Sequence, residues 1–488
     1  MAAPKHDSPD AHELRRQTWI ACYCGLAEGL ATTQIFPFAA RMMSSMGVSD
    51  VVVPVYVGGI YSANAVGQLL ATRFWASCAN TWGCRQSLRL TLMLTAISVG
   101  ACAGARSVPA MTTLMFVRGL CNGNIMLSRT ALRRSFTSRG VDDTEAFAWV
   151  ATSHAAATLA GPSMGGVLYG VSLIGLPAWA LPFLLSALLL LAASALVTAK
   201  QEDTPVESAA QQSARDPEIA PGEAAPSSYG AVDQGSAGGE GSVDYWTLGV
   251  LLVMAAAHSA VFLGWEVTYP VFASIPTSSA GQGWSTAEIG FTFAAASSVL
   301  IPFSILLYPG LVRSWGLLTT WIRCWLPALV LIPSFPRGVS LLLAAGWAEH
   351  SWAVVAWNYI SQMMFSLLLG TGFMSCQLML FDFVAGQPKA ASLTALATGY
   401  LVTAQGLARG IAPVLCGALT STGLSSESST TGWFSRSLAF DVLGMIGLFL
   451  CAAPVWLLPT GFVPDCRTRS SETRTVQISG SSHGLLKK

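Results

Sequence analysis

Long apolar runs alternate with short polar gaps along this chain, and the runs are too long for ordinary soluble secondary structure. An α-helix rises about 1.5 Å per residue, so a bilayer core of roughly 30 Å takes about 20 apolar residues. Six runs of that order precede a polar stretch, at about 17–43, 54–77, 86–105, 109–132, 145–170 and 178–199. Six more follow it, at about 245–273, 285–308, 316–336, 352–384, 389–420 and 438–459. The divide between the ninth and tenth runs is blurred, because apolar character continues through Glu349 and His350. Trp19, Trp179, Trp246, Trp433 and Trp456 lie near run ends, where an interfacial aromatic belt places them.

Residues 200–244 break the pattern, with nine acidic residues against two basic ones, Lys200 and Arg215. Such a stretch has too little apolar surface to offset the entropy of ordering and reads as a disordered acidic linker. The expected plan is a polar N-terminal tail (1–16), a six-helix bundle (17–199), the linker (200–244), a second six-helix bundle (245–460) and a disordered C-terminal tail (461–488). Twelve crossings put both termini on one side. Gaps on that side hold Arg85, Arg89, Arg133, Arg134, Arg139, Arg313 and Lys389, and the tails add more. Gaps on the other side offer little beyond Arg106, Arg337 and Arg436. The positive-inside rule then makes the termini and linker cytosolic.

Composition agrees: 52% of the 488 residues are hydrophobic and 10% charged, with mean hydropathy +0.54. Soluble chains carry about a quarter charged residues, so the solvent for most of this surface is lipid. A net charge of +1 gives nucleic acid no reason to bind. Residues 1–16 are polar and the first run is too long for a signal-peptide core, so no cleavable signal is expected. The eleven cysteines sit mostly singly inside apolar runs, as buried reduced thiols do. Cys22 and Cys24 have neither a histidine nor a second pair beside them, so no metal site or other cofactor is expected. The phosphate-cradling loop of ATP-driven pumps is missing, as is any nucleophile–base cluster of an enzyme.

The two halves echo each other. Gly161-Pro162-Ser163-Met164-Gly165-Gly166 in the fifth run parallels Ala412-Pro413-Val414-Leu415-Cys416-Gly417 in the eleventh. Trp82-Gly83 after the second run parallels Trp315-Gly316 after the eighth. Two matches at equivalent places point to a duplicated half, a feature of secondary transporters.

On these residues the chain resembles the major facilitator superfamily, in particular its twelve-helix drug:proton antiporters, including the zinc-induced-facilitator-like proteins. Gly161–Gly166 fits that branch's G-P-x-x-G-G motif. There Pro162 removes a backbone hydrogen bond while Gly161, Gly165 and Gly166 let a neighbouring helix approach. The run from Ala27-Glu28 to Phe36-Pro37 is similar to the branch's opening signature, and Gln405 to Pro413, with Arg409, to its eleventh-helix run. The resemblance implies an all-α membrane fold, two pseudo-symmetric six-helix bundles, with Gly83 and Arg85 as remnants of a charged loop motif after the second helix. That motif's acidic residue is Asn80 here, and two of its basic positions are Thr81 and Cys84, which implies a weakened charge network. At the family's fourth-helix arginine stands Met115, and Arg118 three residues on is the candidate to replace it.

Ionisable groups inside apolar runs are costly and call for a reason. Glu28 lies near the middle of the first run. Arg118 and Arg129, eleven residues apart, return to one face of an unbroken helix. Glu28 is either a proton-responsive carboxylate tuned by Arg118 or Arg129, or half of a structural ion pair. His258 and Glu266 occupy the seventh run, with Pro270 just after. His154 reads as structural, and Arg409 meets either substrate or Asp382. Asn64, Gln68, Asn358, Gln362 and Gln377 offer cavity hydrogen bonds or packing. The function expected is transport of a small organic solute, coupled to protons, by alternating access. The rival is a transport-dead receptor or scaffold that kept the fold. Residues 200–244 contain no histidine, which favours an organic ion or metal chelate over bare zinc. The remaining partner is the bilayer of a plasma or vacuole-type membrane, and the expected state is monomeric.

Overall fold

The computed structural model describes residues 9–137, 139, 141, 144–171, 175–197, 243–277, 281–387, 390–425 and 432–459. Nearly all of the acidic stretch 200–244, residues 1–8 and 460–488 and the side chains of Lys389 and Arg436 lie outside the described residues. Residues 9–16, expected as polar tail, are helical and begin α1. The described chain is α-helical. The first half runs α1 (Pro9–Thr33), α2 (Ala39–Ser45), α3 (Val53–Thr81), α4 (Cys84–Cys102), α5 (Val108–Cys121), α6 (Asn124–Thr137), α7 (Thr144–Leu168) and α8 (Ala180–Leu196). The second half runs α9 (Tyr245–Ser274), α10 (Thr286–Pro302), a π-helical turn Phe303–Leu307, α11 (Tyr308–Trp315), α12 (Leu317–Ala344), α13 (Trp352–Ala385), α14 (Ala390–Ser425) and α15 (Gly432–Leu457). The α1–α2 and α5–α6 pairs each form one interrupted span, and α10 runs through the π turn into α11.

Most observed spans fall on the apolar runs, and the differences have local causes. The first span breaks at Pro37, which cannot donate to the helix ladder. The fourth breaks at Asn122, whose φ of −90° and ψ of 87° leave the helical region. Two carbonyls freed there find donors elsewhere: Trp75 Nε1 donates to Leu120 O (2.8 Å) and Thr95 Oγ1 to Cys121 O (3.2 Å). The ninth span was expected to stop at 336 with Arg337 in a gap. It continues to Ala344, with Arg337 inside the helix. Asp441 of α15 makes that possible by accepting two hydrogen bonds from the guanidinium, at 2.7 and 2.9 Å. The turn after it uses Gly346 at φ 85°, which side chains other than glycine rarely tolerate.

Duplication is visible in the backbone. Gly83 caps α4 at φ 91° and Gly316 caps α12 at φ 81°, two left-handed turns at equivalent positions of the two halves. One buried core draws on α1–α6 and α8 with Val267 and Val271 of α9 and Ile275 just after it, a small cluster joins α7 to α1 and α6, and another core draws on α9–α15.

The halves meet along two seams at the end remote from the termini, here called the distal end. In one, α7 lies on α10: Ser163 Oγ donates to Gly290 O and Thr286 Oγ1 to Gly166 O, both at 3.0 Å. In the other, α14 lies on α3: a Cβ on Gly58 would collide with the Pro413 backbone, and one on Gly417 with the Pro54 backbone. Arg41 Nη2 on Trp284 O (3.0 Å) and Ser421 Oγ on Val51 O (2.6 Å) tie the same end. Toward the termini the α3–α14 contact is reduced to side chains, Val66 beside Gly410 and Leu69 beside Gly406.

Candidate functional site

The broken fourth span places its polar residues on Glu28. The Glu28 Oε1 atom accepts from Thr32 Oγ1 (2.9 Å), Arg118 Nη2 (3.1 Å) and Asn122 Nδ2 (2.7 Å). Its Oε2 accepts from Asn124 Nδ2 at 2.8 Å. Arg118 also donates to Asn64 Oδ1 (3.0 Å) and Thr32 Oγ1 (2.9 Å), and Asn124 to Thr95 Oγ1 (3.2 Å). Both charged side chains are 1% exposed. Burying two ions costs several kcal/mol each, so such a pair persists only when hydrogen bonds fill the remaining sites. Here one carboxylate has four donors. Gly123 lets the break fit, since a Cβ there would sit 3.0 Å from the Trp75 ring.

Arg118 thus supplies the buried guanidinium, while Met115 stays apolar in the core. The reading that placed Arg129 on the same face as Arg118 fails, because it assumed an unbroken helix. Arg129 belongs to the separate helix α6, exposed and away from Glu28. Asn122, Asn124 and Thr32 were missed; the signal was an Asn-Gly-Asn triplet in mid-run, which is poor helix material.

Glu266 is buried in α9, and among the described residues no hydrogen bond or ion pair satisfies it. Tyr61 of α3, across the interface, lies within its electrostatic reach and has an unpartnered hydroxyl. His258 is walled in by Trp321, Trp325 and Phe373, with ring centroids 5.4 to 5.9 Å away. Neither of its ring nitrogens has a hydrogen-bond partner. Asn358 donates to Val354 O, and Gln362 Oε1 accepts from Trp265 Nε1, leaving Gln362 Nε2 unpartnered. His154 Nδ1 lies 3.1 Å from Gly25 O. Arg409 has no ion-pair partner among the described residues, Asp382 included.

The loop after the second span is not without contacts. Arg134 Nη2 donates to Asn80 Oδ1 (2.9 Å), and Arg85 Nη2 to Ser135 Oγ (3.3 Å). In both of these contacts the acceptor is a neutral side chain. The glycines of the fifth run act as spacers: Gly161 faces Thr33, Gly165 the Gln34 backbone and Gly166 the Thr286 backbone, each too close for a Cβ. Beside them Pro162 presents its carbonyl oxygen to Gly290, where a Cβ would lie 2.8 Å away.

A helical membrane chain in two repeated halves, closed at one end around buried charges, has the architecture of a secondary transporter. The sequence model of the Major Facilitator Superfamily matches residues 21–413, and the chain belongs to that family. A multidrug transporter of the family from Aspergillus fumigatus is 27% identical over 155 residues, 31% of this chain. That match takes in 26% of the fungal protein's length. A D-xylose–proton symporter shares the fold at TM-score 0.65 and 15% identity, covering 91% of this chain and 98% of the symporter. A human organic anion transporter shares it at TM-score 0.55 and 17% identity, covering 92% and 100%.

Proposed function

We propose that the chain is a proton-coupled exporter of a small organic solute, working by alternating access, with its termini in the cytosol. The observation that carries this reading is one-sided closure. Two seams shut the distal end, while charged side chains on inward faces stay exposed toward the termini. One such state is half of an alternating-access cycle. The fungal relative's description as a multidrug transporter supports export, and the xylose symporter's coupling to protons supports the driving ion. Moving Arg337 out of a distal gap sharpens the basic asymmetry behind the cytosolic assignment.

Two buried carboxylates are the proton carriers in this reading. Glu28 is compensated by Arg118 in the present conformation and exchanges a proton when that clamp opens. Glu266 has no cation or donor among the described residues, which leaves a proton as the compensating charge. The test is flux of labelled organic ions into proteoliposomes under an imposed pH gradient. Wild-type flux should follow the gradient, and Glu28→Gln and Glu266→Gln should each uncouple it while exchange persists. Gradient-independent flux, or coupling intact in both variants, overturns the proton assignment. No flux of any probe by correctly inserted protein makes the chain a scaffold.

A further inference from the structure

Among the described residues, Arg409 and Arg129 lie inside apolar runs without an ion-pair partner. Arg409 lies mid-span in α14, seven residues after Val402 and four before Pro413, on the side of the helix that meets α3. Leu407, Ile411 and Val414 form the opposite, lipid-facing side. An inward side chain in a packed bundle should be buried, yet Arg409 is exposed, so it faces the space between the halves. Arg129 repeats the pattern in α6. Leu127 and Ser135 look back toward α4 and Leu132 toward α1, and Arg129 projects from the remaining front, also exposed.

Neither arginine has an ion-pair partner among the described residues. His154 of α7 lies within electrostatic reach of both guanidiniums, one from each half, and of Glu28. Arg73 of α3 stands nearer the open end, one helical repeat beyond Val66, exposed and without an ion-pair partner among the described residues. The carboxylates do not neutralise this group: Glu28 is committed to Arg118, and Glu266 lies deeper, toward the sealed end. An uncompensated guanidinium inside an apolar run is costly, and one is retained on an inward-facing helix of each half.

We propose that the cavity binds an organic anion, a carboxylate, sulfonate or phosphate ester, held between Arg129 of one half and Arg409 of the other. Arg73 sits at the entrance and draws anions inward. Guanidinium forks suit these planar or tetrahedral oxyanions through paired hydrogen bonds. A ligand bridging the halves also gives substrate a direct hold on both bodies that move. This names the solute class of the transport reading and rests on it for flux, but not for binding.

The experiment measures equilibrium binding of radiolabelled p-aminohippurate and naphthalene-2-sulfonate to purified full-length protein, with tetraethylammonium as the cationic counterpart. Flux of the same three probes into proteoliposomes follows. The anions should bind and the cation should not. Arg409→Gln and Arg129→Gln should each weaken anion binding roughly ten- to a hundredfold, the range for a hydrogen bond to a charged group. Arg409→Lys, which keeps the charge and loses the fork, should weaken it less than Arg409→Gln. If a glutamine variant fails to fold, the lysine variant still has to show a weakened anion and no gained cation. Anion binding that survives both glutamine changes, or preference for tetraethylammonium, overturns the proposal. Anions that bind without crossing would leave the proposal standing and remove the transport reading. Flux of tetraethylammonium alone would do the reverse.

Discussion

The seams at the distal end invite a direct perturbation. A methyl placed on Gly58 would lie 2.7 Å from the Pro413 carbonyl carbon and 3.0 Å from the Val414 nitrogen. Restoring ordinary carbon contact at about 3.5 Å moves the two backbones apart by about 1 Å. Forcing an extra methyl into a packed contact costs about 1–3 kcal/mol. That cost falls on the sealed conformation and vanishes where α3 and α14 separate. Gly58→Ala should therefore shift the balance toward a distal-open state by a factor of about 5 to 150.

The assay is the rate at which a membrane-impermeant maleimide, added from the distal side, labels Tyr61→Cys. That position lies one turn below the seam, and the background needs its accessible native cysteines replaced. Gly290→Ala tests the second seam, where the methyl would meet Pro162 O at 2.8 Å and Ser163 Cα at 3.2 Å, and should accelerate labelling less. Gly59→Ala is the control, with nothing within 4 Å of its new methyl. Unchanged labelling in folded Gly58→Ala and Gly290→Ala, or equal acceleration in Gly59→Ala, refutes the seal.

Other expectations follow from single contacts. Glu28→Gln strands the Arg118 cation and should cost about 3–5 kcal/mol of stability, with Glu28→Gln/Arg118→Gln recovering much of it; detergent-resistant yield and thermal melting of both variants check this. Asp244 caps α9 by accepting from Thr247 Oγ1 (2.6 Å) and Thr247 N (3.1 Å), so Asp244→Ala should cost about 1 kcal/mol. The Thr247 side-chain hydrogen bond holds the Asp244 carboxyl below its ordinary 3.8. Its contribution is therefore complete above that value and lost only as pH falls below it. Melting of wild type and Asp244→Ala should differ equally at pH 7 and pH 5 and begin to converge only as pH falls below 3.8, and a difference that already fades by pH 5 contradicts the cap.

Crossing helices were legible because they depend on local composition: an apolar run of sufficient length has one outlet in a bilayer. The seams were legible too, since glycine and proline spacing records a close approach before the partner is known. Failures arose where a distant residue decided. Arg337 looked like the end of a run because a lone charge ends most runs, and Asp441, 104 residues later, supplies what the local pattern lacks. Helical arithmetic linked Arg118 to Arg129 because periodicity takes the helix as continuous. The break at Asn122 is stable through Trp75 and Thr95, from two other spans. Glu28 stood out as a buried charge and Thr32 follows it at i+4, but its other three donors, Arg118, Asn122 and Asn124, are about ninety residues away, and no spacing along the chain relates them to it.

Pseudo-symmetry separates what the duplication supplied from what this chain added. Pro162 and Gly166 of α7 meet Gly290 and Thr286 of α10; Pro413 and Gly417 of α14 meet Gly58 and Pro54 of α3. Each seam joins residues four apart to residues four apart, with the halves exchanging roles, which is the self-complementary pattern of a two-fold interface. The G-P-x-x-G-G stretch then reads as one copy of an interface element that occurs twice, its second copy degenerate at Ala412 and Cys416 but still close-packed. The ionisable residues do not follow that symmetry. Glu28 is paired with Arg118 in one half, Glu266 has no partner among the described residues in the other, and Arg129 and Arg409 stand on the fourth span of one half and the fifth of the next. Closure follows the repeat, whereas the charges break it, one half holding a buried ion pair and the other a buried carboxylate with no hydrogen-bond or ion-pair partner among the described residues.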